Sequence, residues 1–169
     1  MRHNGAPSTT PKEQPSVRIF VFLHIATMFT AVALTIGPTI LLRRIGKSGD
    51  VLAIRRSFAM AGPIIKVAPA LYGLGAALGI VAIFTNGFDP FQPFLLIAYG
   101  LFVVATVAGI RFNAPWFARV AEASANSPDA APSPELAAEL DAPVARFLDW
   151  FDPLVILLFI FDMVVKPFG

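Results

Sequence analysis

The sequence predicts an all-α membrane protein, built as a polytopic bundle of four transmembrane helices. Of its 169 residues, 56% are hydrophobic and only 14% are charged, whereas soluble domains carry about 25% charged residues. Long apolar stretches recur along the chain, separated by arginines, prolines and turn residues. This composition excludes a soluble enzyme domain and a disordered protein. The absence of cysteine excludes disulfides and a thiol nucleophile.

The first 18 residues are predicted to form a flexible tail, since they are polar, contain three prolines and lack an apolar period. The first span is predicted over 19–42, where no side chain carries a formal charge and His24 interrupts the apolar run. Pro38 should kink this helix near its far end. Arg43 should stop it.

A basic connection follows the first span. Asp50 is expected to cap a short helix that lies in the headgroup region and ends before Pro63. The second span is predicted over 63–84 and carries Lys66 near its start, and 85–87 should form a tight turn. The connection supplies four arginines that we expect to bind anionic lipid: Arg43, Arg44, Arg55 and Arg56.

The third span is predicted over 93–110, and Asn113-Ala114-Pro115 should break its helix. Ser133 should cap a short helix in the following polar connection. The fourth span is predicted over 147–165. Its charge-free stretch, 153–161, is too short to cross a bilayer alone, so we expect this helix to be buried among the other three.

The distribution of basic residues predicts the orientation. With four spans, nine of the 13 Lys and Arg residues lie on the side of the two long connections. The positive-inside rule then places both termini outside a bacterial inner membrane. The alternative is a signal peptide cleaved after Ala31-Val32-Ala33, but the apolar run continues beyond that site to Leu42.

Charged and polar side chains fall into two layers within the predicted spans. One layer comprises His24, Asp162 and Lys166, and the other comprises Lys66, Asp149 and Asp152. The first interpretation is structural: Lys66 forms an interhelical ion pair with the two aspartates, which share one helix face. The alternatives are side chains that snorkel into the headgroups, or a proton or small-ion pathway through an oligomer.

His24 and Met28 are four residues apart and project from one side of the first helix, where Met163 of the fourth could approach them. Imidazole and thioether together suit Cu(I) or haem iron. The alternative is that both side chains only pack. With two histidines in the chain, a multi-histidine metal site is excluded.

Gly75 and Gly79 form a GxxxG pattern in the second span. Small faces let helix backbones approach closely, so the pattern predicts packing within the bundle or, alternatively, a homo-oligomer. The chain contains no phosphate-binding glycine loop, zinc-protease motif or serine-nucleophile elbow. A net charge of +2 gives no indication of nucleic-acid binding.

Three short motifs carry a resemblance to a known group. They are Leu23-His24, the basic stretch Arg43-Arg44-Ile45-Gly46-Lys47-Ser48-Gly49-Asp50, and the closing Met163-Val164-Val165-Lys166-Pro167. The chain resembles uncharacterised bacterial four-helix membrane proteins broadly similar to CopD-domain and HemJ-type proteins. Members have a first-helix histidine, which maps onto His24 and is associated with haem in the HemJ-type branch.

The sequence therefore predicts a small, non-enzymatic integral membrane protein of unknown process. A haem- or metal-linked redox protein that uses His24 is the second hypothesis. A proton or small-ion pathway is the third. No residue is predicted to be catalytic.

Overall fold

The computed structural model describes residues 15–167, with side chains from Ile19 onward. Its regular elements are α1 (Pro15–Gly46), α2 (Val51–Thr85), α3 (Pro93–Ala108), a π-helical turn (Gly109–Asn113), α4 (Ala114–Asn126), α5 (Pro134–Leu140) and α6 (Pro143–Val165). This part of the chain is all-helical, as predicted. Of the predicted tail, residues 1–14 lie outside the described residues, and α1 already begins at Pro15.

Three stretches of helix are long and apolar enough to cross a membrane: Ile19–Gly46, Val51–Thr85 and Pro93–Asn126. They are compatible with a multi-pass membrane protein. Within residues 15–167, α6 is not among them, because it carries Arg146, Asp149 and Asp152 in its first half and Asp162 near its end.

The predicted separate headgroup helix is wrong, because α2 is continuous. Asp50 caps it as predicted: its side chain accepts a hydrogen bond of 2.9 Å from the backbone N–H of Ala53. The helix then passes through Pro63 and Pro69, whose side chains lie on exposed faces. Each proline removes one backbone hydrogen bond, and the remaining bonds and the packed face hold the helix together. The predicted turn follows, with Gly87 at φ +68.

The predicted break at Asn113-Ala114-Pro115 is also wrong. The π-helical turn carries α3 directly into α4, and the N–H of Ala114 donates to the carbonyl of Gly109, five residues earlier. A π turn is wider than an α turn, so it accommodates the ring of Pro115, which cannot donate a hydrogen bond. Gly109 to Asn126 therefore extends the third span instead of leaving it.

α1 packs along the whole length of α2, and small residues make the close approach possible. The buried face of α2 presents Ala61, Ala68, Gly75 and Ala82, each seven residues after the last. Such a seven-residue repeat keeps one face turned towards the neighbouring helix, and small side chains bring the two backbones together. The facing side of α1 includes the buried Ala31, Thr39 and Leu42.

The largest hydrophobic core lies at the end of the bundle that contains the 46–51 connection. Nine buried residues form this cap core: Leu42, Val51, Ile54, Phe58, Ala61, Trp116, Val120, Leu136 and Ala145. At 1.5 Å per residue, α2 is roughly 50 Å long, longer than the ~30 Å hydrocarbon core of a bilayer. α2 is therefore longer than one crossing of a membrane requires, and the cap core lies at one end of it.

Side-chain hydrogen bonds at two helix ends stabilise the cap. Ser133 caps α5, as predicted, by accepting a hydrogen bond from the N–H of Leu136 at 3.3 Å. Hydrogen bonds from its own backbone N–H and from Ser133 lower the pKa of Glu135. Arg55 reaches from α2 to the end of α4, where it donates to the carbonyls of Ser124 (3.1 Å) and Ser127 (2.8 Å). A guanidinium at a helix C-terminus satisfies carbonyls that have no partner within the helix.

The two remaining long elements, α3 and α6, pack on each other. The end of α6 lies at the start of α3, since the Lys166 ammonium is 5.2 Å from the Phe88 ring and 5.5 Å from the Phe94 ring. The start of α6 lies at the end of α1, where Asp149 meets Arg43. The structure is thus two antiparallel helix pairs, joined mainly through the cap.

Candidate functional site

His24 lies on the α1 face that contacts α2. Its Nδ1 is 2.7 Å from the carbonyl oxygen of Gly75. Because a carbonyl only accepts, Nδ1 carries the hydrogen and donates it. Nε2 of the neutral ring is then the acceptor, and this arrangement is typical of histidines that bind a metal through the other nitrogen.

The two glycines of the GxxxG pattern make this contact possible. A Cβ atom at position 79 would lie 2.9 Å from two atoms of the His24 ring, and one at position 75 would lie 2.5 Å from Sδ of Met28. Gly79 therefore provides the space through which His24 reaches the Gly75 carbonyl. The face of α2 that carries the two glycines contacts α1 of the same chain.

Arg43 is the centre of the second polar site. Its side chain is only 7% exposed, and it donates to Asp149 at 2.8 Å and to Asp152 at 3.4 Å. The aspartates are three residues apart on α6, so one guanidinium reaches both. These contacts join α1 to α6 at the end of the bundle that contains the cap core.

Trp116 completes the environment of Arg43. The guanidinium carbon lies 5.5 Å from the indole ring centroid, and the indole N–H donates to the carbonyl of Glu139 at 3.0 Å. Such a cation–π contact contributes about 0.5–2 kcal/mol. A cavity of about 120 Å³ opens beside this cluster and is lined by residues that include Lys47, Arg146 and Asp149.

The structure brings Asp149 and Asp152 together as predicted, but with a different cation. Lys66 is exposed and has no ion pair among the described residues. It lies two residues before the buried Ala68, about 200° around the helix, so it points away from the small-residue face of α2 that contacts α1. Arg43 directly follows the buried Leu42 and lies on the packed side of α1.

A further polar contact joins α1 and α2 between the two sites. Thr35 Oγ1 and the Tyr72 hydroxyl are 3.0 Å apart and share a hydrogen bond. Thr35 is also 2.9 Å from the carbonyl of Ala31, to which it donates. The tyrosine is therefore satisfied within the helix pair.

The predicted outer layer does not form one cluster. His24 is bound to Gly75, whereas Asp162 lies on α6 against α3 and neither of its carboxyl oxygens has a hydrogen-bond partner among the described residues. Lys166 is directed to the Phe88 and Phe94 rings. Met163, which was predicted to approach His24, is 39% exposed.

The four arginines predicted to bind lipid divide into two pairs. Arg43 is held by two aspartates, and Arg55 by two carbonyls and, at 2.9 Å, by Asp129. Arg44 and Arg56 are exposed.

The residues of the cap core, above all Trp116, were not predicted from the sequence. The stretch 114–126 has an apolar face with helical spacing, but a helix break at Asn113-Ala114-Pro115 was expected there instead. Across residues 15–167, no group of three or more His, Cys, Asp or Glu side chains could hold a metal ion.

The chain was compared with known proteins at three levels. It matches no family model, no curated protein and no solved structure.

Proposed function

We propose that this chain is a non-enzymatic integral membrane protein of the bacterial inner membrane, with four spans and both termini outside. The fourth span is α6, whose 23 residues cover roughly 34 Å. Asp149 and Asp152 of this helix both accept hydrogen bonds from Arg43, which offsets part of their charge and lowers the cost of placing the helix in the membrane.

One observation carries this proposal: three polar side chains spaced along α1 form contacts with other helices. Arg43 joins α1 to α6, Thr35 meets Tyr72, and His24 bonds to the Gly75 backbone. Side chains held in this way serve the assembly of the bundle. The exposed Arg44 and Arg56 then serve as contacts for anionic headgroups.

The orientation predicts the result of a reporter fusion. A periplasmic reporter, such as an alkaline phosphatase active only after export, should be active when fused after Gly169. A fusion within the 127–133 connection should be inactive, since nine of 13 basic residues lie on that side. Activity of the second fusion, or silence of the first beside an active cytoplasmic reporter at the same position, would contradict the four-span orientation.

A second function is favoured by the His24 geometry. An Nδ1–H that donates to a carbonyl orients the ring and leaves Nε2 for iron or copper, and the resemblance to HemJ-type proteins points to haem. Met28 follows on the same face, against Gly75. In this second proposal the chain is a haem-linked redox protein.

Absorption spectra distinguish the two proposals. The full chain is expressed with added haem, purified in detergent and measured oxidised and reduced, beside His24→Ala. The redox proposal expects a Soret band that the variant loses, and the non-enzymatic proposal expects no band in either. Met28→Leu tests whether the thioether is a second ligand, because it keeps the apolar volume and removes the sulfur.

A further inference from the structure

Asp162 differs from the other two aspartates of α6. Its side chain is 1% exposed, and both carboxyl oxygens are buried without a hydrogen-bond partner among the described residues. Asp149 and Asp152 share the Arg43 guanidinium. Asp162 also continues the buried series Leu148 and Val155, each seven residues apart, so it occupies a core position of the helix.

The elements around Asp162 offer no compensating charge. α3, which packs on α6, has Tyr99 as its one titratable residue, and that side chain is 39% exposed. The π-helical turn carries Arg111, but it lies at the other end of α3. The 86–92 turn carries Asp89, an acid that cannot act as a counter-ion and whose side chain accepts a hydrogen bond from the Phe91 N–H at 2.9 Å. Among the described side chains of α1, His24 is bonded to Gly75, while Arg43 and Arg44 lie at the cap end.

The nearest cation in the sequence is held elsewhere. Lys166 is four residues beyond Asp162, a spacing at which a lysine in a continuing helix can pair with a carboxylate. However, α6 ends at Val165 and Lys166 adopts φ +47 and ψ 60. Its backbone N–H donates to the Asp162 carbonyl at 2.9 Å, and its ammonium lies over the Phe88 and Phe94 rings.

The cost of burial decides which form of the carboxyl this site holds. An isolated carboxylate in an apolar environment is so costly that the group takes up a proton instead. A neutral carboxylic acid without partners costs far less than the isolated anion. A core position on α6 against an uncharged helix therefore suits the acid and disfavours the anion.

We propose that Asp162 is a proton-binding site at the end of the bundle opposite the cap, with Lys166 as its alternative counter-ion. In one state the carboxyl holds the proton and the Lys166 ammonium lies on the two phenylalanine rings. In the other, the O–H bond breaks, the proton leaves to water at the 86–92 turn, and the ammonium pairs with the carboxylate.

Labelling with a hydrophobic carbodiimide tests the proposal on the full chain in liposomes. This reagent forms a stable adduct with a protonated carboxyl in an apolar environment, and mass spectrometry locates it. At neutral pH we expect label on Asp162 and at least roughly tenfold less on Asp149, a residue of the same helix that serves as the control because it pairs with Arg43 of α1 at 2.8 Å. Label on Asp149 with none on Asp162 would overturn the proposal.

The Lys166→Met variant tests the counter-ion. Without the ammonium, the proton should be held to higher pH, so the midpoint of labelling should rise by about 1–3 pH units, the usual effect of a nearby opposite charge on a carboxyl. Lys66→Met, which removes an exposed lysine elsewhere, should leave the midpoint unchanged. An unchanged midpoint in Lys166→Met would show that Lys166 is not the counter-ion.

Infrared spectroscopy covers the case in which the reagent cannot reach the site. The C=O stretch of a carboxylic acid should be present in the wild-type protein at neutral pH and absent from Asp162→Asn. Asparagine resembles the neutral acid in size and polarity, so this variant should unfold at nearly the wild-type temperature. A wild-type spectrum without the acid band, in protein that is folded, would show that Asp162 is ionised.

Discussion

Replacing Arg43 with methionine should lower the free energy of unfolding by about 3 kcal/mol or more. The guanidinium is 7% exposed and joins two aspartates of α6 to α1. Its loss leaves Asp149 and Asp152 side by side without a cation, and removing one member of a buried ion pair is costly for this reason. It also removes the contact with the Trp116 ring in the cap core.

A double-mutant cycle measures the ion pair itself. Arg43→Met, Asp152→Asn and the double variant are unfolded by denaturant in the same detergent, and the double variant should recover part of the sum of the two losses. Lys66→Met is the matched control, with an expected change within about 0.5 kcal/mol because the side chain is exposed. A Lys66→Met loss equal to that of Arg43→Met would reinstate Lys66 as the partner of the aspartates.

Replacing Gly79 with alanine should destabilise the protein by about 1–3 kcal/mol, the usual cost of inserting a methyl group into a packed interface. The new Cβ would lie 2.9 Å from both Cε1 and Nδ1 of the His24 ring. The ring must move, and its hydrogen bond to Gly75 is lost with it. Thermal unfolding in detergent gives the change.

Gly73 provides a matched control on the same helix. A Cβ at position 73 meets nothing within 4 Å, so Gly73→Ala should be neutral or stabilising by up to about 1 kcal/mol, because alanine is the better helix former. Adding His24→Ala to Gly79→Ala should restore stability in part, since the clash disappears with the ring. Equal losses for Gly73→Ala and Gly79→Ala would contradict the proposed contact.

The fold class and most helix starts could be predicted from the sequence because they depend on local signals. Uncharged apolar runs indicated three of the helices, and Asp50 and Ser133 cap theirs as expected. The continuity of the helices through their prolines could not be predicted in the same way. Pro63 and Pro115 have the residue types that end helices, but packing and a π-helical turn carry the backbone past both.

The partner of the paired aspartates shows where residue type alone is insufficient. Matching depth in the membrane pointed to Lys66, but depth does not say which face of a helix a side chain occupies. The seven-residue repeat of small residues from Ala61 to Ala82 does, since it marks the face of α2 that α1 covers and leaves Lys66 off it. For Asp162, the sequence indicated a polar intramembrane residue, and only the structure shows that Lys166 is turned away from it.

The separation of Arg43 and Asp149 along the chain has a consequence for the order of events during synthesis. The two residues are 106 positions apart. At about 5–20 residues per second, Arg43 leaves the ribosome roughly 5–20 s before the carboxylate that will neutralise it. In that interval the arginine is an unpaired cation at the end of the first apolar helix, which is the kind of charge that holds a helix end on the side where it was made. The same guanidinium would thus help to retain α1 first, and fasten α6 to it only when the rest of the chain has arrived.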